Sequence, residues 1–120
     1  MANTYQKGSS DTRPWGTWEV LDAAENFCVK KICVKQGAKL SLQLHHHRSE
    51  HWIIASGKGV VTLDDKLIAV KGDDAIYIPV ETKHRIENNG DIPLVFIEVQ
   101  TGDNLDENDI VRLEDIYGRA

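Results

Sequence analysis

The stretch Gln43-Leu44-His45-His46-His47-Arg48-Ser49-Glu50-His51-Trp52 decides how this sequence is read. Side chains alternate across a β-strand, so Lys39, Ser41, Gln43 and His45 share one face while Leu40, Leu42 and Leu44 share the other. One face carries electron-pair donors and the other is aliphatic. That pattern suits a strand lining a wet pocket better than a simple core strand. Taken alone, three consecutive histidines are equally consistent with a solvated surface run.

Outward from this stretch the chain reads as a row of short strands. They are predicted at Trp15 to Leu21, Phe27 to Val34, Lys39 to His45, Trp52 to Ala55 and Gly59 to Leu63. Leu67 to Val70, Ala75 to Ile78, His84 to Asn88 and Leu94 to Gln100 follow. Turn signals separate them at Gln36-Gly37, Ser56-Gly57, Asp64-Asp65, Lys71-Gly72 and Asn89-Gly90. Many short strands without an intervening helical pattern predict an all-β sandwich or barrel. Residues 1–12 read as a flexible tail, leaving 13–120 as a single domain. From Leu105 the apolar residues Leu105, Ile110, Leu113 and Ile116 are loosely spaced, with Asp106 or Asn108 able to cap, which predicts a short C-terminal helical segment.

The 120 residues fit one domain, and 41% of them are apolar, enough for a modest core. The formal net charge of -5 argues against nucleic acid, whose phosphates call for a concentrated excess of Lys and Arg. No apolar run approaches the roughly 20 residues of a membrane span, and the N-terminus lacks the apolar centre of a secretory signal. A cytoplasmic location is expected. Cys28 and Cys33 are separated by an odd spacing that points them to opposite faces of a strand, so two reduced thiols are expected.

Two motifs resemble those of the cupin superfamily. The first, G-x5-H-x-H-x3,4-E-x6-G, is matched by Gly37, Gln43, His45, Glu50 and Gly57, with Gln43 in place of the first histidine. The second, G-x5-P-x-G-x2-H-x3-N, is matched by Gly72, Pro79, His84 and Asn88. Here the first gap has one extra residue, and Glu81 stands where the superfamily usually has glycine. This resemblance implies a double-stranded β-helix, a jelly-roll barrel, holding one divalent metal ion through Gln43, His45, Glu50 and His84. Two imidazoles, a carboxylate and an amide oxygen suit zinc first, with manganese, iron, cobalt or nickel also tolerated.

A narrower resemblance covers about residues 13 to 119. Arg13-Pro14-Trp15-Gly16 with Trp18, then 40–57, then 77–88, then 97–119 are similar to the isomerase domain of type II phosphomannose isomerases. In that family the module usually follows a guanylyltransferase domain, which has no counterpart in these residues, so the chain reads as the isomerase module standing alone. The resemblance implies interconversion of mannose 6-phosphate and fructose 6-phosphate through an enediol. Such a reaction needs a base between C1 and C2. Lys39 and Glu98 are the candidates, Glu98 because it interrupts the apolar strand Leu94 to Gln100. Arg119, Arg13 and Arg48, with Ser41 on the pocket face, are the candidates for holding the sugar phosphate.

Trp15, Trp18 and Trp52 read first as core or dimer contacts, although Trp52 shares parity with Glu50 and is able to wall the pocket. The aliphatic face of Leu40, Leu42 and Leu44 would be left wet on an isolated barrel, so a homodimer is expected. The rival readings are a metal-binding cupin of other chemistry, a dioxygenase or nucleotide-sugar enzyme, and a non-catalytic sugar-phosphate-binding module.

Overall fold

A computed structural model describes residues 5–114. Its strands, in chain order, are β1 (Ser10–Arg13), β2 (Gly16–Ala24), β3 (Phe27–Val34), β4 (Leu42–Leu44), β5 (Ser49–Ser56) and β6 (Lys58–Leu63). They continue as β7 (Lys66–Lys71), β8 (Ala75–Ile78), β9 (His84–Glu87), β10 (Leu94–Thr101) and β11 (Val111–Glu114). One sheet has the order β1-β2-β3-β10-β5-β8 and the other β11-β4-β9-β6-β7, with every pairing antiparallel. Consecutive strands such as β4 and β5 fall in different sheets, as in a jelly roll.

The core lies between the sheets. Trp52, Ile54, Ile78, Ile86, Leu94 and Phe96 are all buried there. On β10 the even-numbered residues are buried, Val95, Ile97 and Val99 are half-buried and Thr101 is exposed, the period-2 pattern of a strand with one face on the core. A smaller cluster of Tyr5, Val20, Cys28 and Leu105 closes one end. The two-residue turn Asp64-Asp65 joins β6 to β7 with Leu63 paired to Lys66, and Asp64 takes φ 51°, as the twist of a tight hairpin requires.

Two expectations are corrected. Residues 10–12, expected within a flexible tail, belong to β1, whose residues 10–13 pair with 19–16 of β2. That segment, Ser-Asp-Thr-Arg, has no apolar residue, so its order comes from backbone hydrogen bonds that composition does not reveal. The expected C-terminal helix is absent among the described residues. Asp106–Ile110 forms turns, and β11 pairs with β4. Val111-Arg112-Leu113-Glu114 alternates apolar and charged residues, a strand period, with the apolar members outside and Arg112 toward the interior.

The parity of β4 also differs from strict alternation. Lys39 pairs with Glu87 and Gln43 with His84, so four steps on one strand span three on the other. One extra residue is therefore bulged out at Leu40 and Ser41, both of which are buried. A one-residue slip exchanges the faces of everything beyond it. Gln43 and His45 thus face inward, while Leu40 joins the core and Lys39 is directed away. Arg85 steadies the break by donating from Nε to the Leu40 carbonyl at 2.9 Å. Of the aliphatic face expected to drive dimerisation, Leu42 and Leu44 stay half-buried and Leu40 does not belong to it.

Candidate metal and substrate site

A cavity of about 230 Å³ opens between the sheets, lined on the β4, β5 and β9 side by Gln43, His45, Glu50, Trp52 and His84. From the sheet that also carries β5, the strands β2, β3 and β10 contribute Trp18, Lys30 and Glu98. Ser41, Arg13 and Arg48 also line it, whereas Lys39 does not. Instead Lys39 lies near enough to Glu114 to help depress that carboxyl. Arg119 lies outside the described residues.

His45, Glu50 and His84 each offer a buried ligand atom, and these atoms lie within 4.8 Å of one another. His45 Nε2 is 3.2 Å from one Glu50 oxygen, and His84 Nε2 is 4.0 Å from the other. Both imidazoles are aimed by backbone carbonyls. Nδ1 of His45 is 2.6 Å from the Asp109 oxygen, and Nδ1 of His84 is 2.8 Å from the Thr82 oxygen. A carbonyl only accepts, so each Nδ1 carries a proton and each Nε2 is turned toward the cavity. Burial pushes the His45 imidazole down to about 4, with Arg48 and His84 adding to the effect and Glu50 opposing it. The ring is therefore neutral at neutral pH. His84 Nε2 has no hydrogen-bond partner although it is buried, an expensive state for a polar atom unless a ligand completes it. Gln43, 9% exposed, stands opposite His84 in the ladder.

These donors fit a divalent cation: two imidazole nitrogens and one carboxylate converge in a buried, polar space, and Gln43 lines the same space. The same cavity wall supplies a counter-charge. Arg48 donates from Nε to Glu50 at 2.9 Å, from Nη1 to the Tyr5 hydroxyl at 3.0 Å and from Nη2 to His45 Nε2 at 3.2 Å. Trp52 donates its indole N–H to the other Glu50 oxygen at 2.9 Å. Burial alone would raise Glu50, but the Arg48 guanidinium beside it holds it well below the usual carboxylate range. Arg48 is thus committed to the ligand cluster, a different place from the phosphate contact expected of it.

Glu98 sits on the next strand, hydrogen-bonded to Glu50 and accepting from Gln100 Nε2 at 2.7 Å. Burial raises its carboxyl to about 7, the Glu50 charge adding to the effect while Lys30 and Arg48 oppose it. Two carboxyls in one buried space are thereby pushed apart, one ionised and one titrating near neutrality.

Residues that sequence reasoning missed complete the frame. The Asp109 carboxylate accepts from the backbone N–H groups of His46 and His47, both at 2.9 Å, and so fixes the turn leaving β4. Gly102 packs where a Cβ would strike the His47 carbonyl. Glu81 takes φ 61°, the left-handed region that the glycine of the motif would adopt, and its N–H donates to the His45 carbonyl at 2.8 Å. The motif's turn geometry is thus kept without its glycine. Lys30 had a signal: it breaks the apolar inward row Cys28, Ile32, Val34 of β3.

A family profile described as mannose-6-phosphate isomerase C-terminal matches residues 2–115. The chain belongs to that family. Among curated members, the alginate biosynthesis protein AlgA of Pseudomonas aeruginosa is 54% identical over 108 residues, covering 90% of this chain and 22% of that protein. The mannose-1-phosphate guanylyltransferase ManC of Salmonella typhimurium is 48% identical over 108 residues, again 90% of this chain and 22% of its own length. The chain therefore spans less than a quarter of these two relatives. Among solved structures, the capsular polysaccharide assembling protein CapF of Staphylococcus aureus superposes with a TM-score of 0.76 at 28% identity, over 88% of this chain and 32% of that one. A Klebsiella pneumoniae protein with a double-stranded β-helix domain superposes with a TM-score of 0.72 over 81% of this chain and 78% of that one. At 18% identity it bears on the fold alone, and the fold is the jelly-roll barrel expected. No helix of the described residues is long and apolar enough to cross a membrane.

Proposed function

We propose that this domain interconverts mannose 6-phosphate and fructose 6-phosphate, using a divalent ion held by Gln43, His45, Glu50 and His84. The observation that carries the reading is the pairing of Glu98 with Glu50 inside the donor cluster. It supports the reading because a carboxyl lies beside the His45, Glu50 and His84 cluster within one buried cavity. Zinc is the first candidate ion on donor chemistry. A bound ion supplies electrophilic stabilisation for the negative charge that develops on the enediolate oxygens.

The chain's own residues do the rest. Glu98 removes a proton from C1 or C2, and its carboxyl, after exchange with solvent in the cavity, returns a proton to the neighbouring carbon. Arg48 holds Glu50 and His45 in place, and Gln100 orients Glu98. Trp52 forms part of the cavity wall and is backed by the buried ring of Phe96 at a centroid distance of 4.8 Å. A volume of about 230 Å³ lies below the roughly 300–1,000 Å³ of typical ligand pockets, which favours a sugar phosphate over a nucleotide sugar.

The test is product formation. Protein loaded in turn with zinc, manganese, cobalt, nickel or iron is given fructose 6-phosphate, and mannose 6-phosphate is followed by NMR. Turnover with at least one ion, lost with a chelator or in Glu50→Gln, supports the reading. Tight binding without turnover for every ion would leave a binding module instead, and oxygen uptake with iron would point to a dioxygenase.

A further inference from the structure

Lys30 is a charged residue in a place built for an apolar one. Its side chain points inward from β3, directly opposite Glu98 in the ladder, and the residue is 8% exposed. Its amine lies 4.1 Å from the centroid of the Tyr5 ring and 4.7 Å from that of Trp18. None of the ion pairs among the described residues involves it. Glu98, the carboxyl opposite, makes its hydrogen bonds to Glu50 and Gln100. The aromatic faces compensate part of the cost of burying an ammonium group, and a buried charge is otherwise found with an anion or a metal-bound partner.

A second cation shares the same indole. The Arg13 guanidinium carbon is 5.7 Å from the Trp18 centroid, and Arg13, Trp18, Lys30 and Tyr5 all line the cavity. Two cations thus gather at the β1–β2–β3 side, away from the imidazoles of β4 and β9. Lys30 is two strands from Glu50, since β10 lies between β3 and β5. At about 4.8 Å per strand that is roughly 10 Å of backbone separation, the length scale of a hexose phosphate.

We propose that Lys30, held between the rings of Tyr5 and Trp18, is the anchor for the substrate's phosphate group. With the phosphate there, the other end of the sugar reaches Glu98 and the donor cluster. The proposal rests on the sugar-phosphate reading of this cavity, and it adds the end that binds the anion and the direction in which the substrate lies.

Binding to the full chain is measured for three probes: inorganic phosphate and fructose 6-phosphate by ³¹P NMR titration, and unphosphorylated fructose by saturation-transfer NMR. In Lys30→Met, affinity for fructose 6-phosphate falls roughly 10- to 100-fold, the range of one lost charge-assisted hydrogen bond, and Lys30→Arg recovers most of it. Fructose binding does not change. If inorganic phosphate alone loses affinity, the anion site serves free phosphate and the substrate assignment is overturned. An unchanged affinity for fructose 6-phosphate, or an equal loss for fructose, also overturns it, the latter by marking a structural role. Should Lys30→Met fail to fold, acylation of wild-type lysines decides: fructose 6-phosphate, and not fructose, protects Lys30, and absent protection sinks the idea. The two readings fail separately. Binding that depends on Lys30 without turnover removes the isomerase and keeps the anchor, while turnover with an unchanged KM in Lys30→Met does the reverse.

Discussion

Gln43 on β4 and His84 on β9 are direct partners across the antiparallel ladder. One belongs to the first sequence motif and the other to the second, so this single register pair brings the halves of the donor set together. The bulge at Leu40 and Ser41 sets which residues of β4 face that pair. A cation site assembled in this way depends on the turn after β4 as much as on the strands.

The Asp109 carboxylate holds that turn through two backbone N–H groups, and its own main-chain oxygen orients His45. Asp109→Ala is therefore expected to weaken zinc binding by roughly 10- to 100-fold, the usual cost of removing support for a ligand. Competition against a chromophoric chelator measures it. Unchanged affinity would show that His45 is positioned without the turn.

Glu98 gives a pH signature with a definite sign. Its folded carboxyl titrates at about 7 against an ordinary 4.5, so the folded state binds the proton more tightly. The stability Glu98 contributes is fully present below the ordinary value and is lost as pH rises toward 7. In the metal-free chain, wild-type stability relative to Glu98→Gln should fall across that window, by up to about 1.4 kcal/mol per pH unit, and be flat on either side. His45 is present in both proteins and cancels. Urea unfolding at several pH values measures the difference, and a rise with pH would contradict the buried pairing of Glu98 with Glu50.

Glu81 sits at φ 61° with its side chain exposed, paired to His46 at 3.3 Å. A left-handed backbone costs a non-glycine residue roughly 1–2 kcal/mol, while glycine loses part of that gain through its freer unfolded chain. Glu81→Gly should stabilise the fold by about 0.5–1 kcal/mol, since exposed pairs contribute little. Thermal unfolding checks this, and a destabilised variant would show that the surface pair outweighs the backbone.

Gly16, in the Arg13-Pro14-Trp15-Gly16 motif, lies where a Cβ would overlap the Cys33 carbonyl on β3. Gly16→Ala should cost roughly 2 kcal/mol or more, by forcing β2 off its partner. Because β2 and β3 carry Trp18 and Lys30, binding of fructose 6-phosphate should weaken with it. A neutral substitution would mean that the strands part without penalty.

What the sequence discloses about this site follows from which physical signals are periodic. Gln43 and His45 obey alternation from Ser41 onward, and His84 lies in a spaced motif, so their meeting in one cavity was legible. Lys39 was assigned inward because a bulge leaves no mark in a hydrophobic pattern. The backbone-only pairing of Ser10–Arg13 is silent for the same reason. At Val111–Glu114 the strand period was present, but the apolar residues point outward and Arg112 inward, the reverse of a core strand. Lys30 was readable as a charge in an apolar row, yet only the folded chain places it between Tyr5 and Trp18.

The central claim is proton transfer on a sugar phosphate, and solvent isotope reports on it directly. The metal-loaded protein is incubated with fructose 6-phosphate in deuterated water and followed by ¹H NMR. The expected result is mannose 6-phosphate carrying deuterium at C2, with Glu98→Gln slowing its appearance at least 100-fold while still binding metal, as loss of a general base does. Undiminished turnover in Glu98→Gln, or no exchange and no product with any of the candidate ions, would contradict the account.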